Sequence, residues 1–427
     1  MKKLKNETIK LKDLTVLYHK LGYGNIAQFY NNDEANIYYS FVATKLSEKY
    51  PDLVAKKEIE DLLCDKGKIL TIDSVIKKGF YDSERNIVAI KHYLNRVTTT
   101  LFHEIVHKIS FLKGNGEIEK IPSVIKEAGT EKVTAETLMS KKTIGYVFGN
   151  VWGKFPNTIS DYYLSYSFIN QLNHIAGKNQ IEKTILNGDL TFENRLKEIY
   201  GEEQYQDIVS GLTKIEEDFC EYSVYNSING KKKNETLKER LSENIDALQD
   251  KILRLSYDKK VSEVKNHEEA DELLRNMLSF SENRLRRKVD GKLTDRAFEE
   301  YFLNVKKTLE SRFKGHKFDR HFDSDEWRKK YPELVDVVQI TEEEKRKIAK
   351  DGKNNYKQAK GSFFSKLFGK DDNDIELLAE PIKQRTYKQM ENDFNKSLEF
   401  KGIDYKKKSE NKQSSSKSKG KEPHGEK

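Results

Sequence analysis

His103-Glu104-Ile105-Val106-His107 is the stretch on which the reading of this chain turns. Its spacing is H-E-x-x-H. On an α-helix, positions i and i+4 lie on one face, so the two imidazoles can reach a single metal ion. Glu104 lies near enough to hold a water at that metal and take its proton. Ile105 and Val106 are apolar, as expected of a helix that runs through a protein interior. Val97, Leu101, Phe102, Ile105, Val106 and Ile109 surround the histidines at helical spacing. Histidines embedded in such a surface need polar partners, and a metal supplies them.

A catalytic zinc takes three protein ligands and keeps a position for water. Downstream, Lys126-Glu127-Ala128-Gly129-Thr130-Glu131 offers a third ligand, with Glu127 following His107 after nineteen residues. Pro122 suits the first position of a second helix. On that helix Glu127 and Glu131 share a face with Val124, Ala128, Ala135 and Leu138. Carboxylates on an apolar face are costly unless they bind metal or accept hydrogen bonds. Glu127 is the preferred ligand at this spacing, with Glu131 and Glu136 as alternatives. Upstream, Gly79-Phe80-Tyr81-Asp82 reads as a turn, and residues 85–90 read as a short strand. That strand admits two readings: an ordinary core strand, or one that pairs with an extended peptide through backbone hydrogen bonds.

Together these residues resemble the thermolysin-like gluzincins: H-E-x-x-H, nineteen residues, then E-A-x-x-acid. The resemblance spans residues 80–140. It implies a zincin-like, two-lobed metallopeptidase domain that hydrolyses peptide bonds in a peptide or protein substrate. By this resemblance His103, His107 and Glu127 would bind Zn2+. Glu104 would be the general base, and Glu131 the acid that supports a ligand histidine. Ligating histidines usually donate their other ring N–H to a carboxylate, which agrees. The chain departs in one respect. Thermolysin stabilises its tetrahedral intermediate with a histidine and with a tyrosine placed between the two zinc motifs. Here no tyrosine or histidine lies between His107 and Glu127. Tyr162, Tyr163, Tyr166 and His174 are the downstream candidates for an oxyanion donor. The segment 161–177 also resembles the helix after the metal site in small bacterial gluzincin-like proteins with an E-x-x-T-E element.

At 427 residues the chain is long enough for two or three domains. Hydrophobic residues make up 36% and charged residues 35%, which suits a surface-rich protein with extended helices. No run of eighteen apolar residues exists, so no transmembrane span is expected. The basic start, Met1-Lys2-Lys3, lacks an apolar segment behind it and does not read as a secretory signal; the cytoplasm is the expected compartment. Cys64 and Cys220 have no metal-ligand spacing and are expected to be buried free thiols. Residues 401–427 hold nine lysines against four acids, so +5 of the net +8 sits there. The body therefore carries little bias toward nucleic acid.

The expected fold class is α+β. Residues 1–228 form the catalytic domain, mixed α/β to about residue 110 and helical after it, with the cleft between. Helices are predicted over 34–50 and 58–63, and across 160–225; strand signals are limited to 69–76 and 87–90. A boundary is expected at 227–234, where Asn229-Gly230 precedes three lysines. Residues 235–345 read as a helical domain, 346–403 as a charged helical or loop segment, and 404–427 as a disordered basic tail. Leu237, Leu241, Ile245, Leu248, Ile252 and Leu255 form a narrow apolar stripe. It suits packing within the chain or docking of a helical protein partner. The island Ser362-Phe363-Phe364-Ser365-Lys366-Leu367-Phe368 suits a membrane surface or partner, or a short helix laid on the body. The tail could contact anions or nucleic acid without specificity. Two alternatives to peptide hydrolysis follow. One is a catalytically silent or regulatory protein on the zincin scaffold that binds a partner through its C-terminal helices. The other is a nucleic-acid-associated protein acting through the tail.

Overall fold

The computed structural model describes residues 11–64, 68–73, 78–91, 99–138, 140–156, 162–228, 235–314, 316–323, 329–331 and 334–336. Val97, the island at 362–370, the segment 346–403 and the tail lie outside them. The chain begins with α1 (Leu11–Lys20), β1 (Asn25–Phe29), α2 (Asn32–Lys49), α3 (Lys56–Leu63), β2 (Lys68–Asp73), β3 (Gly79–Asp82) and β4 (Ile87–Lys91). A capping box starts α2: Asn31 accepts from the Glu34 backbone N–H, and Glu34 accepts from that of Asn31.

The four strands form a sheet in the order β1-β2-β4-β3, with β2 and β4 parallel and both outer pairs antiparallel. Its inner strands are buried over residues 69–72 and 87–90 because both faces are covered. Leu70, Ile72, Ile87 and Ala89 pack with Leu14 and Tyr18 of α1. Ile69, Val88 and Ile90 join the main core with α2 and the next helix, α4 (Thr99–Lys113).

After α4, Asn115 and Gly116 take positive φ and turn the chain. A 3₁₀ turn (Glu117–Lys120) leads to α5 (Ser123–Thr137), with Pro122 at the N-cap, one position earlier than the sequence suggested. Then come β5 (Lys142–Phe148), β6 (Val151–Pro156), α6 (Tyr163–Ala176), α7 (Gln180–Asn187), α8 (Thr191–Tyr200) and α9 (Glu202–Ile228). They are followed by α10 (Glu235–Glu263), α11 (His267–Ser281), β7 (Arg286–Val289), β8 (Lys292–Thr294), α12 (Arg296–Arg312) and β9 (Leu334–Asp336). A second sheet has the order β8-β7-β6-β5-β9, with β9 parallel to β5. Phe148, Val151 and Phe155 face the main core, while Ile144, Trp152 and Leu293 form a small cluster on the other side.

The α+β class is as expected; several elements are not. Gly79–Asp82 is a strand rather than a turn, and the reversal falls at 83–86, where Asn86 has φ 54°. The strand expected over 69–76 is observed as Lys68–Asp73. Strands β1, β5 and β6 carried no sequence signal, and the segment 235–345, read as helical, supplies β7, β8 and β9 as well. The stripe on α10 faces inward: Leu237, Leu241, Ile245, Leu248 and Ile252 are buried in the same cluster as residues of α4, α5 and α9. That one cluster takes residues from before and after 227–234, which lie largely outside the described residues. Both cysteines are free, but Cys220 is exposed on α9 and Cys64 half-buried, against the expectation that both are buried. No helix among the described residues is long and apolar enough to cross a membrane.

Candidate metal centre

Helix α4 runs beneath the first sheet with Leu101, Phe102, Ile105, Val106 and Ile109 buried. Each of these contributes roughly 1.5–3 kcal/mol on leaving water, which fixes the helix's rotation. Glycine lets two helices meet near its C-terminus. A Cβ at Gly114 would lie 1.8 Å from the Gly188 carbonyl oxygen, so the backbones past α4 and α7 are in direct contact. The Ser110 hydroxyl donates to the Ile185 carbonyl at the same crossing. Helix α5 lies alongside α4. Gly129 gives α7 room there, since a Cβ would sit 2.9 Å from Ile181 Cδ1.

These contacts bring His103, His107 and Glu127 together. His103 Nε2 and His107 Nε2 are 3.0 Å apart. Glu127 Oε2 lies 3.3 Å from the first and 3.2 Å from the second. Among the described residues this is the group of histidine, cysteine and carboxylate side chains that could hold a metal ion. Zinc bonded tetrahedrally at about 2.0–2.1 Å separates its ligand atoms by about 3.3–3.4 Å. The three observed distances fall close to that edge length, so the donors fit such an ion in both chemistry and spacing.

Glu131 takes a different place. Its Oε2 lies 3.0 Å from His103 Nδ1, the ring nitrogen turned away from the triad. Its side chain is 6% exposed against 23% for Glu127, so Glu127 is the more open of the two carboxylates. Glu136, the other alternative ligand, points elsewhere. It pairs with Lys132, accepts from Tyr50 at 3.4 Å, and belongs to a buried cluster with Glu182. Thr130 was not foreseen: its Oγ1 lies 3.5 Å from His107 Nδ1.

Burial disfavours a charged His103, but hydrogen bonds to Glu127 and Glu131 outweigh it and hold the imidazole well above its usual range. Burial would likewise raise Glu127, yet the two histidines pull its carboxyl far below the usual range. Without metal, the triad is thus a compact ion pair. Metal binding has to displace protons from it.

Glu104 is buried (8% exposed) beside strand β3. A Cβ at Gly79 would lie 2.9 Å from both Cγ and Oε1 of Glu104. Farther along, the Tyr81 ring meets Phe111 of α4 edge-on at 5.8 Å. So β3 lies along the helix, and in the described sheet it is one of the two edge strands, β1 being the other.

The oxyanion candidates are set otherwise. Tyr163 packs edge-on against Phe155 at 5.4 Å, and the buried Tyr166 ring lies 6.4 Å from the same phenylalanine. Tyr162 is the N-cap residue of α6, with φ 57°. His174 leans on Phe280 at 5.8 Å, and burial lowers its pKa. His174 does not belong to the metal-facing group of histidine and carboxylate side chains. No protein-family model, no curated protein and no solved structure matches this chain, so the reading of the site rests on its own geometry.

Proposed function

We propose that this protein is a zinc-dependent peptide hydrolase with the two-lobed layout of a gluzincin. The observation that carries the reading is the triad. Two imidazole nitrogens and one carboxylate oxygen, from helices α4 and α5, stand 3.0–3.3 Å apart with Glu131 behind His103. His103, His107 and Glu127 would hold the ion. When bound, zinc supplies a Lewis acid at the scissile carbonyl and lowers the pKa of a water it holds.

Glu104 then has the work of moving protons. Its carboxylate accepts one from the attacking water and returns it to the leaving amine. The neighbouring edge strand supports an extended peptide as substrate. A strand with a free edge can add another through backbone hydrogen bonds, and β3 would lay it beside Glu104.

The test is zinc content and peptide hydrolysis in three forms of the full chain. The native protein should hold about one zinc and cleave a mixed peptide library. Glu104→Gln should keep the metal and lose turnover; His103→Ala should lose both. A Glu104→Gln protein as active as the native one sinks the assignment. A regulatory reading through the α10 stripe is less favoured, because those leucines and isoleucines are buried against the rest of the chain.

A further inference from the structure

Helix α5 carries Glu127, Thr130 and Glu131 at i, i+3 and i+4, which places all three on one face. The first faces the Nε2 atoms of both histidines. The last meets Nδ1 of His103 at 3.0 Å. Thr130 occupies the matching place for the second histidine, its Oγ1 3.5 Å from His107 Nδ1. Thr130 is fully buried, so this contact does not compete with bulk water.

A histidine that binds metal through Nε2 must keep its proton on Nδ1, and the hydrogen bond made by Nδ1 decides whether it does. For His103 a carboxylate fixes the proton. For His107 the hydroxyl oxygen of Thr130 is the one acceptor seen at Nδ1 among the described residues. In the metal-free protein His107 Nε2 lies 3.0 Å from His103 Nε2 and 3.2 Å from Glu127 Oε2.

We propose that Thr130 is a positioning residue for the metal centre: its hydroxyl oxygen accepts the His107 Nδ1–H and so keeps Nε2 free for zinc. The proposal rests on the metal reading above. The asymmetry has a chemical sense. A carboxylate behind each histidine would place two buried charges behind the ligands, whereas a hydroxyl orients the ring and adds none.

Two measurements on the full chain test it. One is the 15N NMR spectrum of histidine-labelled, metal-free protein, which reports the His107 tautomer. The other is zinc affinity by competition with a chelator. Native protein should show His107 protonated at Nδ1. Thr130→Val, close in shape but without an acceptor, should lose that tautomer preference and bind zinc about 10- to 100-fold more weakly. Thr130→Ser should restore both. If Thr130→Val does not fold by circular dichroism, Thr130→Ala against Thr130→Ser makes the same comparison.

A valine variant with the native tautomer overturns the proposal, whether its zinc affinity is unchanged or is weakened by altered packing alone. Native protein that takes up no zinc overturns the metal reading instead. In that case a tautomer that still follows the hydroxyl leaves Thr130's role on His107 standing, and one that does not removes it.

Discussion

A methyl group on Gly79 would lie 2.9 Å from Thr100 Cγ2 as well as from Glu104. Either the strand or the carboxylate would have to move to admit it. Gly79→Ala should therefore leave zinc content unchanged and lower turnover about 10- to 100-fold, as expected when a reacting group shifts by an ångström or less. Native turnover in that variant would detach β3 from the chemistry. Lys108, on the same helix, offers a different check. Its ammonium is fully buried, donating to Tyr39 at 3.0 Å, and burial pulls its pKa down to about 7. The unfolded chain holds that proton up to about pH 10.4, so between about 7 and 10 unfolding binds a proton. Stability contributed at this site rises with pH across that window and is least below pH 7. Lys108→Met should accordingly stabilise the protein by on the order of 4 kcal/mol at pH 6, with the gain shrinking toward pH 10 in urea titrations. An equal gain at both pH values would exclude the charge as its cause. His103, Glu104, His107 and Glu127 were legible in the sequence because helix periodicity and ligand number constrain them locally. Thr130 and Gly79 were not. A threonine or glycine acquires such a role only when two elements distant in sequence are set side by side.

Among the elements, the crossing of α4 with α7 is the tightest contact around the site. At Gly114 an added Cβ meets backbone, the Gly188 carbonyl oxygen at 1.8 Å, which cannot give way without moving a helix. Gly211, inside α9, meets only the tip of Leu248, its Cδ1 at 3.1 Å. Gly114→Ala should cost about 3 kcal/mol or more through overpacking. Gly211→Ala should be near neutral, because the gain in helix propensity, about 1 kcal/mol, offsets a small side-chain shift. Urea midpoints for the two variants check this, and equal losses would refute the crossing as a fixed contact. The helices were the more readable elements, since α2, α3, α4 and α10 each carry an apolar face at helical spacing. The strands were not. In β5, Gly145 and Tyr146 interrupt any simple alternation, because one face of the sheet meets the main core and the other a small separate cluster. Gly79-Phe80-Tyr81-Asp82 opens with the residue that most often marks a turn. That glycine is there for the approach to Glu104 instead.

At the scale of the whole molecule, one buried cluster contains Ile105 of α4, Ala128 of α5, Leu212 of α9 and Ile252 of α10. A fragment ending at residue 228 would bare the surfaces of α6, α8 and α9 that α10 covers. Such a fragment is expected to be aggregated or unfolded by near-ultraviolet circular dichroism and to bind no zinc. A folded, zinc-loaded fragment would instead establish residues 1–228 as an independent domain. The sequence placed a boundary there because Asn229-Gly230 and a lysine run look like a linker; only the inward face of α10 shows how far the core continues past it. The parallel pairing of β5 with β9 carries a further consequence. Ile144 and Leu334 are neighbours in the sheet although 190 positions separate them along the chain. Ribosomes deliver Ile144 first, at about 5–20 residues each second, so its strand waits on the order of ten seconds or more for its neighbour. Through that interval β5 has an unpaired edge, and the nascent chain is at its most vulnerable to pairing with the wrong strand.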